Sequence, residues 1–227
     1  MSQRSEVRSQ KTGNKKQGLD FRLYLITDRK IVTHYPSLIT AVEEALKAGV
    51  KAVQLREKDL PTRELLDMAY RMRDLTTKYN ARLFINDRID IAMCVNADGV
   101  HLGQSSIPAY AVRKAVDGSR FFIGVSTHNL EEALAAEREG ADFITFGPIY
   151  PTYSKLKYGK PVGIESMKIV IENASIPIFG IGGIKPDNAK DVINAGAYGI
   201  AMISGILGEN DIKKATENYL KILGETL

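Results

Sequence analysis

The sequence contains no tryptophan, one cysteine and three histidines. A single cysteine, Cys94, excludes an intramolecular disulfide and suits a reducing compartment, the cytoplasm. Its setting in "DIAMCVN", among apolar helix positions, predicts a small buried hydrophobe. No paired histidines have zinc-site spacing, and no serine, histidine and acid recur in a nucleophilic arrangement. No apolar run approaches the roughly 18 residues of a membrane-spanning helix. The body of the chain also lacks a net charge. The formal +4 resides in residues 1–18, "MSQRSEVRSQKTGNKKQG", which hold five basic residues and one acid. The remainder carries 26 basic and 26 acidic residues, which argues against the basic face of a nucleic-acid binder. The tail has little to bury and no secretory hydrophobic segment, so it is expected to be disordered. The expected organisation is a tail over 1–18 and one catalytic domain over 19–227.

What the chain does contain is regular alternation. Strand-like runs are "RLYLIT" (22–27), "AVQLR" (52–56), "RLFIN" (82–86), "GVHL" (99–102), "FFIGVS" (121–126), "DFITFG" (142–147), "IPIFGI" (176–181) and "YGIAMI" (198–203). Between them, segments such as "PSLITAVEEALKAG" and "RELLDMAYRMRDLTTKYN" repeat apolar residues every three or four positions, the helical period. Asn129 is placed to cap "LEEALAAEREGA", and Pro186 stands near the start of another helix. "KAGVKAV", "REGADFI" and "NAGAYGI" each read as a helix closing on glycine before the next buried strand. An open doubly wound sheet would carry a glycine-rich fingerprint after its first strand; here that strand runs into "TDRKIVTHYP". The expected fold is therefore α/β, a single (β/α)8 TIM barrel.

Barrels build active sites from strand C-terminal ends and the loops beyond them. Thr27, Arg56, Lys58, Asn86, Asp87, His101, Gln104, Ser126, His128, Thr152 and Lys155 all fall there. In "QLREK", side chains alternate faces, so Gln54, Arg56 and Lys58 share one side of the strand and Val53, Leu55 and Glu57 the other. Two cations on one face are costly to bury without an anion, which points to a pocket that expects one. "GIGGIKPDNA" (180–189) and "MISGIL" (202–207) follow strands seven and eight, where barrel loops bind phosphate through backbone N–H groups.

Taken in order, "LYLITD", "VQLREK", "FINDR", "DGVHLGQ", "GVSTHN", "GPIYPTYSK", "GIGGI" and "GIAMISGI" resemble the thiamine phosphate synthases, from Leu23 to Ile206. Members of that family join a pyrimidine methyl diphosphate to a thiazole phosphate and release pyrophosphate. The resemblance implies that Gln54, Arg56 and Lys58 meet the pyrimidine diphosphate, with Asn86 and Ser126 completing that site. It implies that Asp87 holds Mg²⁺, and that Thr152, Ser154 and Lys155 lie between the substrates. Gly183, Ile203 and Ser204 would cradle the thiazole phosphate. Arg56 and Lys155 would be catalytic, as cations facing the departing diphosphate. The implied partners are these two small molecules, with no nucleic acid and no membrane. If the chain self-associates, a homodimer is the expected form.

One position departs from the synthase pattern. The synthases usually carry a second acidic metal ligand two residues after "HLGQ", where this chain has Ser106. "HLGQSS" and "SKLKYGKPVGIE" also resemble the family's thiazole tautomerase branch, in which His128 would be the acid–base group. Three readings stand at this point: the synthase, the tautomerase, and a regulatory barrel that binds a thiamine precursor without turnover. Retention of Gln54, Arg56, Lys58, Asn86 and Asp87 favours the synthase, because a tautomerase has no use for a diphosphate wall.

Overall fold

A computed structural model of the chain describes residues 18–116, 120–152 and 160–225. Eight strands close into one barrel in sequence order, every neighbouring pair parallel and β1 paired to β8. The strands are β1 (Leu23–Ile26), β2 (Ala52–Leu55), β3 (Arg82–Asn86), β4 (Gly99–Leu102), β5 (Phe122–Thr127), β6 (Phe143–Phe146), β7 (Ile178–Ile181) and β8 (Gly199–Met202). The helices that follow them are α1 (Leu38–Lys47), α2 (Thr62–Lys78), α3 (Ile89–Cys94), α4 (Ala109–Ala115), α5 (Leu130–Arg138), α6 (Gly163–Asn173) and α7 (Ala189–Asn194). Two more, α8 (Ser204–Leu207) and α9 (Ile212–Ile222), come after β8.

Local chemistry sets the boundaries. Ser37 caps α1 reciprocally with Thr40, and the Asn129 side chain accepts from the Glu132 N–H at the start of α5, as its sequence predicts. Gly49, Gly140 and Gly196 follow helices in the left-handed region. Pro186 lies in the turn ahead of α7 rather than inside its first turn, because the turn at 185–188 is closed by the Asn188 side chain accepting from the Lys185 N–H.

Side-chain alternation divides the apolar residues into two bodies. Odd-numbered positions of β1 and β2, such as Leu25 and Val53, pack outward against the helices, while Phe21, Tyr24, Phe84, Phe143 and Phe179 fill the barrel. The aromatic rings inside touch one another at centroid distances of 5.3–6.1 Å, as in Tyr24–Phe84 and Tyr24–Phe179. Small residues make this possible. A Cβ on Gly124 would stand 2.5 Å from both His101 Nδ1 and Phe143 Cζ. Gly124→Ala is therefore expected to cost about 1–3 kcal/mol by overpacking, measured as a lowered chemical-denaturation midpoint; an unchanged midpoint would mean that the barrel interior has room to spare.

Cys94 corrects the sequence expectation, for it is exposed. The short α3 buries Ile91 and Ala92 and then Val95, so positions 93 and 94 turn to the outer face. Among the described residues no helix is long and apolar enough to cross a membrane.

Candidate active site

The inner face of the barrel changes character along its axis. Below, it is aromatic; at mid-height five polar side chains from five strands join. Gln54 Nε2 donates to the Tyr24 hydroxyl at 3.0 Å, and that hydroxyl lies 3.5 Å from His101 Nδ1. On its other side, His101 Nε2 is 3.0 Å from Ser126 Oγ, and Thr145 Oγ1 reaches both at 3.4 Å. Gln54, His101 and Thr145 are buried, and Tyr24 is fully so. Burial pushes the Tyr24 phenol well above its ordinary range. Burial also pulls the His101 imidazole down to about 3, with the Asp87 charge opposing and the Arg56 charge adding to the effect. Both groups are thus neutral near pH 7, and this floor offers hydrogen bonds without charge.

Charge appears one layer higher. Arg56 continues the inner face of β2, half-buried; its backbone N–H donates to Thr27 Oγ1, while its guanidinium pairs with no carboxylate among the described residues. Lys58 is more exposed and stands 3.7 Å from Asp87 Oδ2. Asp87 itself has φ +60° just past β3, which turns its carboxylate back over the barrel rim. Asn86 Nδ2 donates to its Oδ2 at 2.7 Å, while the Ser106 hydroxyl and the Gly103 N–H, the latter at 3.3 Å, donate to its Oδ1. Desolvation is the largest single influence on Asp87 and would raise its pKa. The Ser106 hydroxyl, the Lys58 charge, the Gly103 N–H and the Asn86 amide together outweigh it and hold the carboxyl below its usual range. Gln104 ties this loop to β5 by donating to the Ser126 carbonyl at 2.6 Å.

Across the mouth, the turn after β7 meets the start of α8. Gly183, at φ +66°, packs so closely against residues 150–151 that a Cβ would lie 2.6 Å from the Pro151 carbonyl oxygen. The turn is braced on both flanks. Tyr150 N–H donates to the Gly182 carbonyl at 3.0 Å, and Asn188 Nδ2 donates to the Gly183 carbonyl at 3.2 Å. No hydrogen bond among the described residues uses the N–H groups of Gly183 or Ser204, and Ile203 is the residue that enters α8. Backbone donors at a glycine turn beside a helix start suit a phosphate.

The fold thus gathers Gln54, Arg56, Lys58, Asn86, Asp87 and Ser126 on one side of the mouth, and Gly183, Ile203 and Ser204 on the other. Thr152 ends the described part of the loop after β6; Ser154 and Lys155 lie outside the described residues. Two strand-end residues do different work from the one their positions suggested. The Thr27 hydroxyl, on the outer parity of β1, donates to buried Glu57 at 2.7 Å, and Arg29 closes on Glu57 at 3.2 Å and on Asp59 at 2.6 Å. This network joins the loops after β1 and β2 outside the mouth. His128 is exposed and its Nδ1 pairs with Glu132 at 3.0 Å on α5, not with the inner-face residues. Sequence reasoning missed Tyr24 and Thr145, although the parity that selected Gln54 also selects them.

The Asp87 carboxylate and the Ser106 hydroxyl are hard oxygen ligands, as Mg²⁺ requires, but among the described residues Asp87 is the one carboxylate in this cluster. Among the described residues no three His, Cys, Asp or Glu side chains gather as a metal cluster. Mg²⁺ keeps several waters and accepts one or two carboxylates when substrate phosphates complete its shell. The site fits that mode of binding.

The chain matches known proteins over most of its length. The family profile described as thiamine monophosphate synthase matches residues 23–206. A relative from Geobacter sulfurreducens is 50% identical over 205 residues, which span 90% of this chain and 95% of that protein. A thiamine-phosphate synthase from Clostridium novyi is 44% identical, over 90% of this chain and 99% of its own length. Among solved structures, thiamine phosphate pyrophosphorylase from Pyrococcus furiosus superposes with a TM-score of 0.81 at 39% identity, covering 90% of this chain and 96% of that one.

Proposed function

Because the chain belongs to the thiamine monophosphate synthase family, we propose that its barrel mouth joins a pyrimidine methyl diphosphate to a thiazole phosphate, with the work divided between the two sides described above. The reaction is a transfer: the bond from the pyrimidine methylene carbon to the diphosphate oxygen breaks, and the thiazole nitrogen donates its electron pair to that carbon. The exocyclic amino group of the pyrimidine supplies electron density as the leaving group departs, so no protein nucleophile is required. What the protein must do is hold the two rings in line and stabilise charge growing on the diphosphate.

The single observation that carries the assignment of roles is the half-buried Arg56 guanidinium with no carboxylate partner among the described residues. A cation held in this way is prepared for an anionic ligand. Arg56 and Lys58 face the diphosphate, Asn86 orients Asp87, and Gln54 and Ser126 receive the pyrimidine edge. Gly183, Ile203 and Ser204 bind the thiazole phosphate through backbone N–H groups. Thr152 and Ser154 are assigned to the thiazole phosphate, and Lys155 to the leaving group as a further cation, Ser154 and Lys155 lying outside the described residues. Asp87 would hold Mg²⁺, with the Ser106 hydroxyl oxygen as a neighbouring donor. When bound, the metal adds positive charge to the departing diphosphate.

The test is incubation with both substrates and Mg²⁺. Release of pyrophosphate with formation of thiamine phosphate is expected. Isomerisation of thiazole phosphate alone would support a tautomerase, and binding without turnover a regulatory barrel.

Ser106 provides a second, narrower prediction. Its hydroxyl now donates to Asp87; Ser106→Asp puts a second carboxylate on the same oxygen's flank. Apparent Mg²⁺ affinity in pyrophosphate release should tighten by about tenfold or more, since a second anionic ligand joins the site. Without Mg²⁺ the two carboxylates repel, and the melting temperature of the variant should fall and recover on adding the metal. An unchanged Mg²⁺ titration would remove Asp87 from the metal site.

A further inference from the structure

The mid-barrel network contains two buried groups, Tyr24 and His101, that the chemistry above does not use. We infer that Tyr24 is a positioning residue: its hydroxyl fixes His101 as the Nε2–H tautomer and thereby sets which hydrogen-bond donor and which acceptor the barrel floor presents to the substrate. This rests on the synthase reading only in naming the substrate as an aminopyrimidine.

Gln54 Nε2 is a donor, so the Tyr24 oxygen accepts from it. The hydroxyl hydrogen of Tyr24 must then find an acceptor within a fully buried setting, and His101 Nδ1, at 3.5 Å, is the one available among the described residues. If Nδ1 carried the hydrogen instead, Tyr24 would accept twice and its own O–H would be stranded away from water, an arrangement that buried polar groups avoid. With Nδ1 bare, the neutral imidazole carries its hydrogen on Nε2 and donates it to Ser126 Oγ, 3.0 Å away. Thr145 also donates to Ser126 Oγ, at 3.4 Å. Ser126 therefore accepts twice from below, and its own hydroxyl hydrogen is free to point into the mouth.

At the other end of the chain, no buried side-chain polar atom among the described residues lacks a hydrogen-bond partner. The Gln54 amide oxygen has none among the described residues, so it is not sealed off and we place it at the wall of the mouth. The floor thus offers one acceptor, Gln54 Oε1, and one donor, the Ser126 hydroxyl. An aminopyrimidine edge presents the complement, an amino N–H beside an unprotonated ring nitrogen. A pyrimidine with an oxo group in place of the amino group would set its carbonyl against Gln54 Oε1, two acceptors face to face. Polarity, and not shape alone, selects the amino ring. The reverse polarity requires the Gln54 amide turned end for end and the hydrogen moved to His101 Nδ1.

The experiment reads the tautomer directly, by two-dimensional ¹⁵N–¹H correlation of the imidazoles in the substrate-free protein. The chain has three histidines. His34 and His128 are exposed, so a His34→Gln, His128→Gln double variant leaves the His101 signals alone. The expected spectrum has a protonated Nε2 and a bare Nδ1 near pH 7. In Tyr24→Phe the preference should relax toward a mixture, and the KM for the pyrimidine diphosphate should rise about tenfold, the scale of one lost hydrogen bond. The KM for the thiazole phosphate should be unchanged. A hydrogen on Nδ1 in the wild type overturns the inference. So does a Tyr24→Phe variant with a mixed tautomer and an unchanged pyrimidine diphosphate KM. Should Tyr24→Phe fail to fold, the wild-type tautomer decides alone. Because the spectrum needs no substrate, failure of the tautomer assignment is separate from failure of the synthase reading.

Discussion

Arg56→Ala should lower pyrophosphate release by about 100-fold or more, the scale for removing one preorganised electrostatic stabiliser, while leaving the protein as stable as before. The two halves of this expectation share one cause. The guanidinium is half-buried without a carboxylate partner among the described residues, so folding carries the cost of its desolvation and the ligand supplies the compensation. Removing it should leave the melting temperature unchanged or raise it. Lys58→Ala, by contrast, should cost less in rate, because Lys58 is exposed and already shares its charge with Asp87 at 3.7 Å. Steady-state kinetics and thermal unfolding of the Arg56 variant check the point. An active, destabilised variant would mean that Arg56 is a structural residue.

Gly183→Ala should act on the other substrate. The new Cβ would meet the Pro151 carbonyl oxygen at 2.6 Å and Tyr150 Cβ at 2.7 Å, at a backbone conformation of φ +66° that L side chains rarely adopt. The turn must shift, and its N–H moves away from where it can meet a phosphate in concert with the start of α8. The KM for the thiazole phosphate is expected to rise at least tenfold, roughly what one charge-assisted hydrogen bond is worth, with a smaller change for the pyrimidine diphosphate. Equal changes in both constants would point to a general disturbance of the barrel and against a separate phosphate site at Gly183.

Much of this was legible in the sequence because it depends on period and parity. Alternation of strand-like and helix-like runs gave the barrel, and the period of two in "QLREK" put Gln54 on the inner face, where its amide meets Tyr24. The same rule would have found Tyr24 and Thr145, which share that face. They were passed over because a tyrosine in "LYLI" and a threonine in "FITF" look like ordinary strand residues until their neighbours across the barrel are known. Cys94 and Thr27 show where local pattern runs out. Whether a residue at the end of a short helix is covered depends on what packs over it, and nothing among the described residues buries position 94. Thr27 is turned outward to Glu57, a pairing between loops 30 residues apart that no local spacing announces. Left-handed Asp87 belongs to the same class: its position at the end of β3 was readable, but the φ that aims its carboxylate was not.

The central claim is that the inner-face cation after β2 is a wall for the diphosphate. Calorimetric titration of inorganic pyrophosphate in the presence of Mg²⁺, into wild type and into Arg56→Ala, tests it without requiring turnover. Pyrophosphate should bind the wild type, be displaced by the pyrimidine diphosphate, and bind the variant at least tenfold more weakly, the scale for a charge-assisted contact. Equal binding to the two proteins, or binding that the pyrimidine diphosphate does not displace, would contradict the account.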